Sequence, residues 1–277
     1  SKKQAKKNIF YHYDLGNEFY SKWLDDSMTY SSALFNSSTE SLEKAQENKY
    51  KNICKNINPK PEDHILEIGC GWGGFMEYAI KHHNVKVTGL TISKAQHDFT
   101  KKRLFEAGLS ERAKVLLTDY RNQKGQFDGI ASIEMFEAVG EKYWPVYFNS
   151  LKNLMKNGAK STLQIITIAD ELFPEYRKRV DFIQKYIFPG GMLPSKKALE
   201  KQFLQVGLKS INLKSFGSSY SKTLRLWHSS FNSVWDDIAS VKFDDRFKRM
   251  WNFYLASCAA VFYSKTGDVI QVTLKKS

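Results

Sequence analysis

The sequence has few cysteines and no long hydrophobic run. Its three cysteines, Cys54, Cys70 and Cys258, form no Cys-x-x-Cys pair and no metal-ligand spacing. We therefore expect reduced thiols, a cytoplasmic setting and no metal site. The longest apolar run, from Leu255 to Tyr263, falls short of the roughly 18 apolar residues of a membrane-spanning helix and predicts a buried helix. No signal-peptide pattern opens the chain, and because it does not begin with Met we expect a further N-terminal region in the natural protein.

Acidic residues are in the minority. The 277-residue chain has 29 Asp and Glu against 42 Lys and Arg, which gives a formal net charge of +13. A basic surface favours anionic partners such as nucleic acid, phospholipid head groups or acidic small molecules. Four lysines near the start, Lys2, Lys3, Lys6 and Lys7, fit a solvated terminus and a contact with an anionic surface equally well.

Apolar residues from His64 onward follow the pattern of an α/β domain. Short apolar runs alternate with amphipathic stretches, as in βα units around a mainly parallel sheet. Residues 1–62 are predicted to form a helical N-terminal segment, and residues 63–277 a domain with insertions at about 169–194 and 218–264. We predict strands at 64–69, 86–90, 115–117, 127–133, 161–168, 209–213 and 268–274, and helices at 73–82, 93–106 (capped by Ser93) and 144–155 (stopped by Asn157-Gly158).

Aromatic residues are frequent, at 14% of the chain, which indicates either a deep apolar core or an apolar pocket. Near the C-terminus, large apolar side chains recur at helical spacing: Leu224, Trp227, Phe231, Trp235 and Ile238. Such a stripe predicts the packed face of a helix more often than the lining of a ligand site.

A glycine-rich turn follows the first predicted strand, with the pattern Glu67-x-Gly69-x-Gly71-x-Gly73. Glycines let a backbone turn tightly and approach a ligand, and the following helix offers free N–H groups. The GxGxG spacing and the acid ahead of the first glycine are typical of S-adenosylmethionine-dependent methyltransferases and less so of nicotinamide-binding proteins. Asp119 occupies a place suited to an acid near the adenine, but fits a turn or cap equally well.

The end of the second strand departs from most methyltransferases, because Leu90-Thr91-Ile92-Ser93 offers no acid for the ribose hydroxyls. The stretch from Gly89 to Gln96 resembles the cyclopropane fatty acid synthase family instead. Five other segments carry the same resemblance, at residues 11–17, 28–33, 69–74, 135–140 and 186–191, so it runs from about Tyr11 to the C-terminus.

The resemblance implies transfer of a methylene group from S-adenosylmethionine to the cis double bond of an unsaturated phospholipid acyl chain, through a carbocation. It implies a Rossmann-like class I methyltransferase sheet, mostly parallel with an antiparallel last strand, and helical cover over an acyl pocket. A peripheral enzyme on the inner face of an anionic membrane would explain the charge, the aromatic residues and the missing membrane span. Nucleic acid is not an expected partner, and a homodimer is left open.

The resemblance also implies site residues. In the family a bound bicarbonate removes the proton, held by a Glu, a His, a Tyr, a Cys and backbone groups. Glu137 and Tyr220 match the family Glu and Tyr, whereas Ser32 stands where many members have Cys and Gln164 where many have His. Both replacements can hydrogen-bond an anion. The residues expected to bind the cofactor are Tyr30, Glu67, Gly69, Gly71, Thr91, Gln96, Asp119 and Tyr120.

Three alternatives use the same residues. A methyltransferase acting on the same lipids would yield a methylene or methyl branch in place of a ring. A methyltransferase for RNA or a small polar molecule would need an open basic groove. A non-catalytic lipid-binding protein would have lost activity through the changes at Ser32 and Gln164.

Overall fold

The computed structural model describes residues 15–240 and 242–277. The four N-terminal lysines and most of the 11–17 segment therefore lie outside the described residues. Within the described part of the chain, no helix is both long and apolar enough to cross a bilayer.

A seven-stranded sheet forms the centre of the molecule, with the strand order β3-β2-β1-β4-β5-β7-β6. Strands β1 to β5 run parallel, while β7 pairs antiparallel with both β5 and β6. The predicted mainly parallel sheet with an antiparallel last strand is therefore confirmed. The strands are β1 (His64–Ile68), β2 (Lys86–Thr91), β3 (Ala113–Leu117), β4 (Phe127–Ile133), β5 (Met155–Ile168), β6 (Leu208–Ser215) and β7 (Gly267–Lys276).

Helices lie around this sheet, and the helices predicted at 73–82, 93–106 and 144–155 are present within one or two residues. Ser93 caps its helix as predicted, because its hydroxyl accepts a hydrogen bond from the Gln96 backbone N–H. The helices are α1 (Asn17–Trp23), α2 (Leu42–Ile57), α3 (Gly74–His83), α4 (Lys94–Glu106), α5 (Trp144–Leu154), α6 (Phe173–Tyr176), α7 (Phe182–Tyr186), α8 (Lys196–Gln205), α9 (Gly217–Ser233), α10 (Trp235–Ile238) and α11 (Asp245–Tyr263).

Three local predictions differ from the structure. The run from Leu255 to Tyr263, predicted as a buried helix, is the end of the longer helix α11 and is only partly buried, since Tyr263 is 78% exposed. Asn157-Gly158 does not separate a helix from a strand, since β5 begins directly after α5 and contains both residues. Gly158 has φ +80°, and the register shifts here, with Phe127 opposite Met155 but Gly129 opposite Lys160, so the pair belongs to an irregularity in the strand. Helix α8 was not predicted, although Ser195 caps it and Leu199 and Phe203 pack into the core.

The aromatic stripe is the packed face of α9 and α10, as predicted. Its five side chains are buried in a cluster with helices α1 and α11. Trp23 makes edge contacts with Trp227 and Trp251 at ring-centroid distances of 5.9 and 6.0 Å. These aromatic side chains therefore form a second core beside the sheet. Its helices α9 and α11 contact each other and β7, and Tyr220 of α9 reaches Glu134 after β4.

Candidate active site

The glycine-rich turn joins β1 to α3 at the carboxyl edge of the sheet. Gly69, Gly71 and Gly73 have φ angles of +83°, +53° and +86°. Side chains with a Cβ avoid this region at a cost of about 1–2 kcal/mol. A Cβ on Gly69 would lie 2.7 Å from Met135 Cγ, whereas no described atom lies within 4 Å of a Cβ on Gly71. The turn is thus packed on one side and faces open space on the other.

That open space belongs to a cavity of about 640 Å³. All eight residues expected to bind the cofactor line it: Tyr30, Glu67, Gly69, Gly71, Thr91, Gln96, Asp119 and Tyr120. Thr91 Oγ1 donates to Gln96 Oε1 at 3.0 Å and accepts from Ser93 N at 3.1 Å, so β2 and α4 are joined at the cavity wall. The structure therefore brings the eight residues named from the sequence together in one cavity.

Asp119 caps a short helix, the role that the sequence offered as the alternative to a place near the adenine. Its side chain accepts from the Arg121 backbone N–H and caps the short 3-10 helix Tyr120–Asn122. Its two oxygens also bind the Arg121 guanidinium at 2.7 and 2.5 Å. The carboxylate is thus fixed by Arg121 while it lines the cavity, and the two readings of Asp119 are compatible.

Glu67 is enclosed at the base of the cavity. It is 2% exposed, and its Oε2 has no hydrogen-bond partner among the described residues. Burial raises the pKa of Glu67 to about 8, although the Lys49 and Arg103 charges act in the opposite direction. An unpaired carboxyl group in such a place favours a cationic ligand.

Three of the four predicted catalytic residues meet at Glu134, an acid that the sequence analysis did not name. Its Oε1 accepts from Ser32 N at 2.8 Å and from Gln164 Nε2 at 2.9 Å. Its Oε2 accepts from the Tyr220 hydroxyl at 2.8 Å. Ser32 contributes only its backbone N–H, because its own hydroxyl donates to Ala33 O.

The fourth predicted residue, Glu137, lies beside this group with different contacts. Its Oε1 accepts from Ile166 N at 2.6 Å, and its Oε2 has no partner within the described ranges. Burial, followed by the charge of Glu134, raises the pKa of Glu137 to about 8. Both carboxyl groups line the cavity.

A buried lysine near Glu134 and Glu67 was also missed by the sequence analysis. Lys49 on α2 is 0% exposed and donates to Ser31 Oγ at 2.6 Å. Burial lowers its pKa to about 7, against the attraction of Glu134, Asp25 and Glu67. In the sequence Lys49 is one of many lysines. Glu134 had a weak signal, since it directly follows β4 at the carboxyl edge, where α/β proteins place their ligands.

The far end of the cavity is apolar. Tyr220 packs on Phe262 at a centroid distance of 4.5 Å, and Phe188 lies edge-on to Tyr254 at 6.0 Å. Tyr30 and Tyr254 share a hydrogen bond of 2.8 Å between their hydroxyls, so the two phenols are held at the boundary between the polar and apolar parts. Further lining comes from Ile166, Ile183, Leu224 and Val261.

The strand order 3-2-1-4-5-7-6 is that of the class I S-adenosylmethionine-dependent methyltransferases. The glycine turn after β1 and the cavity-lining residues at the ends of β1 and β2 are typical of the same class. Comparison with known proteins gives the family. A family model described as mycolic acid cyclopropane synthetase matches residues 1–272, and the chain belongs to that family.

Curated relatives agree with this assignment. The chain is 37% identical to a tuberculostearic acid methyltransferase of Mycobacterium tuberculosis over 99% of its own length and 66% of the relative's. It is 38% identical to the cyclopropane-fatty-acyl-phospholipid synthase of Escherichia coli K12 over 96% of its length and 66% of the relative's. The chain therefore spans about two thirds of the length of these relatives.

Solved structures show the same fold. The cyclopropane synthase MmaA2 of Mycobacterium tuberculosis has a TM-score of 0.91 at 28% identity, with 98% of both chains covered. The mycolic acid cyclopropane synthase CmaA1, complexed with SAH and CTAB, has a TM-score of 0.92 at 28% identity and the same coverage.

Proposed function

We propose that the protein transfers a methylene group from S-adenosylmethionine to the cis double bond of an unsaturated phospholipid acyl chain and forms a cyclopropane ring. One observation carries this proposal: a single cavity extends from the glycine turn to an aromatic, apolar end, with Glu134 and Glu137 between them. A methyl donor and an alkene can therefore meet inside the protein. This cavity is not the open basic groove that an RNA substrate would require.

The polar end fits S-adenosylmethionine, which supplies an electrophilic methyl group when bound. The space beside Gly71 would admit the ligand against the backbone. The unpaired Oε2 of Glu67 suits the positively charged methionine part, and Thr91 and Gln96 take the place of the usual ribose acid. We assign Tyr30, Gly69, Asp119 and Tyr120 to the same ligand, because they line the same end of the cavity.

The apolar end suits an acyl chain. We propose that the segments 169–194 and 218–264 form its cover, since they contribute Ile183, Phe188, Leu224 and Phe262 to the lining. An alkene is a poor nucleophile, so it must be held near the methyl group with water excluded. The faces of Tyr30, Phe188 and Tyr254 can stabilise the positive charge that develops on the lipid without bonding to it.

We assign the catalytic roles to the group at the junction: Glu137, Tyr220, Gln164 and Ser32. Tyr220 and Gln164 donate hydrogen bonds there, and Ser32 offers its backbone N–H. Glu137 presents an oxygen without a partner in the described structure. Such a group can hold a negative charge next to the new carbocation and guide its proton loss.

We also propose that the protein docks on an anionic phospholipid surface. Residues 177–185, some of which line the cavity, include four Lys or Arg and one acid. Among them Val180 is 74% exposed, and Phe253, whose ring lies 4.7 Å from that of Phe182, is 55% exposed. Apolar residues flanked by basic ones are typical of peripheral membrane contacts. The inner leaflet of a cytoplasmic membrane is the surface we propose.

The function is tested with vesicles. The protein is incubated with methyl-labelled S-adenosylmethionine and vesicles of a cis-monounsaturated anionic phospholipid, and the fatty acids are identified by mass spectrometry. We expect labelled cyclopropane acids. A methylene or methyl branch would indicate the related methyltransferase reaction, and cofactor binding without any label in lipid would refute a lipid substrate.

Membrane docking is tested by flotation with anionic and zwitterionic vesicles. Val180→Asp should weaken binding to anionic vesicles. Leu204→Asp is the matched control, because Leu204 is 69% exposed and lies on α8. Equal binding of the two variants would refute the proposed surface.

A further inference from the structure

We propose that Glu134 is the base of this reaction, and that its carboxylate takes the place of the bound bicarbonate that the family resemblance implies. The inference rests on the proposed function. It concerns a residue outside the matched family motif and follows from where the donors of the site point.

The side-chain donors of Gln164 and Tyr220, which were expected to hold an external anion, already bind Glu134, together with the backbone N–H of Ser32. Ser32 N, Gln164 Nε2 and the Tyr220 hydroxyl all donate to Glu134, at 2.8, 2.9 and 2.8 Å. A carboxylate offers roughly four acceptor sites, so three donors leave about one, on Oε2. Glu134 lines the cavity, and that remaining site is available to a proton arriving from it.

The donor end of Gln164 is fixed by a chain of amides. Asn52 Nδ2 donates to Gln271 Oε1 at 2.5 Å, and Gln271 Nε2 donates to Gln164 Oε1 at 3.0 Å. Because Gln164 Oε1 accepts from Gln271, its NH₂ group must face Glu134 and the Ser32 carbonyl. The network therefore supplies a donor that does not titrate and that favours a carboxylate at Glu134.

The two glutamates differ in their surroundings. Glu134 has three donors and the attraction of Lys49, while Glu137 has the backbone N–H of Ile166 and the repulsion of Glu134. Burial raises the pKa of both, but the donors and Lys49 lower the pKa of Glu134, while the charge of Glu134 raises that of Glu137 further. Of the two carboxyl groups, Glu134 is therefore the one whose surroundings favour the ionised form. Two neighbouring carboxyl groups pushed apart in this way are typical of an acid and a base.

The backbone at Glu134 adopts a conformation that costs free energy. Its φ is +48°, the left-handed region, in which a residue with a Cβ is disfavoured by about 1–2 kcal/mol. Such strain persists where the surroundings hold a side chain in one place. A second anion beside Glu134 would find the donors taken and would repel its charge.

Methyl transfer comes first and ring closure second. The alkene electron pair bonds to the methyl carbon, the carbon–sulfur bond breaks with its electrons on sulfur, and the other alkene carbon becomes cationic. Glu134 takes a proton from the new methyl group, and the electrons of that C–H bond close the ring. The resulting carboxylic acid later loses its proton to solvent.

Two variants at this position separate the roles. Glu134→Gly removes the carboxylate, relieves the left-handed backbone and leaves the three donors around an open space. Glu134→Gln keeps the size of the side chain without the charge and is the matched control. Turnover is measured in buffer freed of carbon dioxide, then with added bicarbonate or formate, and cofactor affinity is measured by calorimetry for each protein.

We expect wild-type turnover to be the same with and without bicarbonate. Both variants should lose about 10²- to 10⁴-fold in turnover, the usual contribution of a general base. Bicarbonate or formate should restore activity to Glu134→Gly but not to Glu134→Gln, because glutamine fills the space. Cofactor affinity should stay near that of the wild type.

A binding measurement decides the inference without turnover. In ¹³C NMR with labelled bicarbonate, Glu134→Gly should bind the anion and the wild type should not. Saturable bicarbonate binding by the wild type, or loss of its activity when carbon dioxide is removed, would overturn the inference. A wild type that makes no lipid product would refute the proposed function, while the NMR result would still show whether Glu134 occupies the anion site.

Discussion

Gly71→Ala tests whether the glycine turn contacts a ligand. A methyl group at Gly71 would enter open cavity space, since no described atom lies within 4 Å of it. Gly125→Ala is the matched control: Gly125 has φ +91°, is exposed, and also has no described neighbour within 4 Å of an added Cβ. Gly69→Ala provides the contrast, because its methyl group would lie 2.7 Å from Met135 Cγ.

The expected losses of stability and of cofactor affinity follow from these contacts. Left-handed strain alone should destabilise Gly71→Ala and Gly125→Ala by about 1–2 kcal/mol each. Overpacking at Met135 adds about 1–3 kcal/mol for Gly69→Ala. In a protein of this size 1 kcal/mol corresponds to roughly 2–4 °C in Tm. A methyl group pressed against a bound cofactor should cost about 1–3 kcal/mol, which is roughly a 5- to 150-fold loss of affinity.

Calorimetric melting and titration with S-adenosylhomocysteine measure the two effects separately. Gly71→Ala and Gly125→Ala should melt at similar temperatures, with Gly69→Ala below both. Only Gly71→Ala of the first pair should lose affinity. If Gly71→Ala binds the ligand as tightly as Gly125→Ala does, the cavity beside the turn is not the cofactor site.

Three further predictions follow from the same site and core. Cofactor affinity should rise as pH increases through about 8, because a cationic ligand favours ionised Glu67 and its binding below that pH releases a proton. Titration in buffers of different ionisation enthalpy measures this proton release, and Glu67→Gln should abolish the release. Glu137→Gln and Tyr220→Phe should each reduce lipid turnover by about 10²-fold or more with little change in cofactor affinity, and wild-type turnover in both would refute their roles. Trp227→Ala should lower the free energy of unfolding by about 3–5 kcal/mol in denaturant titrations, whereas Leu204→Ala, at a 69% exposed position, should change it by less than about 0.5 kcal/mol.

The sequence predicted the sheet well because parallel strands are buried on both faces and appear as apolar runs. β4 has the predicted bounds, and β1 and β2 differ by one residue. The prediction failed where local residue types misled. Asn157-Gly158 reads as a stop but lies within β5, and the many lysines of α8 concealed its buried face at Leu199 and Phe203. The family and the fold class were both predicted correctly.

The site was less accessible to sequence reasoning. Residues that line the cavity through local motifs were found because each motif lies within a single strand-to-helix connection, Gly69 and Gly71 after β1 and Thr91 at the end of β2. Glu134 was missed because its partners are far away in the chain, 102 residues from Ser32 and 86 from Tyr220. No periodicity records that convergence, and only the folded chain brings the groups together.

A carboxylate at Glu134 accounts for both departures from the family pattern. If Glu134 carries the negative charge, the side chain at position 164 must donate a hydrogen bond to it at every pH. An amide NH₂ group always does so, whereas a neutral imidazole does so only in one of its two tautomers. Ser32 gives its backbone N–H, so its side chain has only to be small enough for a position that is 0% exposed. Ser32 and Gln164 are then not signs of lost activity. They are the surroundings that an internal carboxylate requires, and a non-catalytic lipid-binding protein would have no reason to keep them oriented on a strained glutamate.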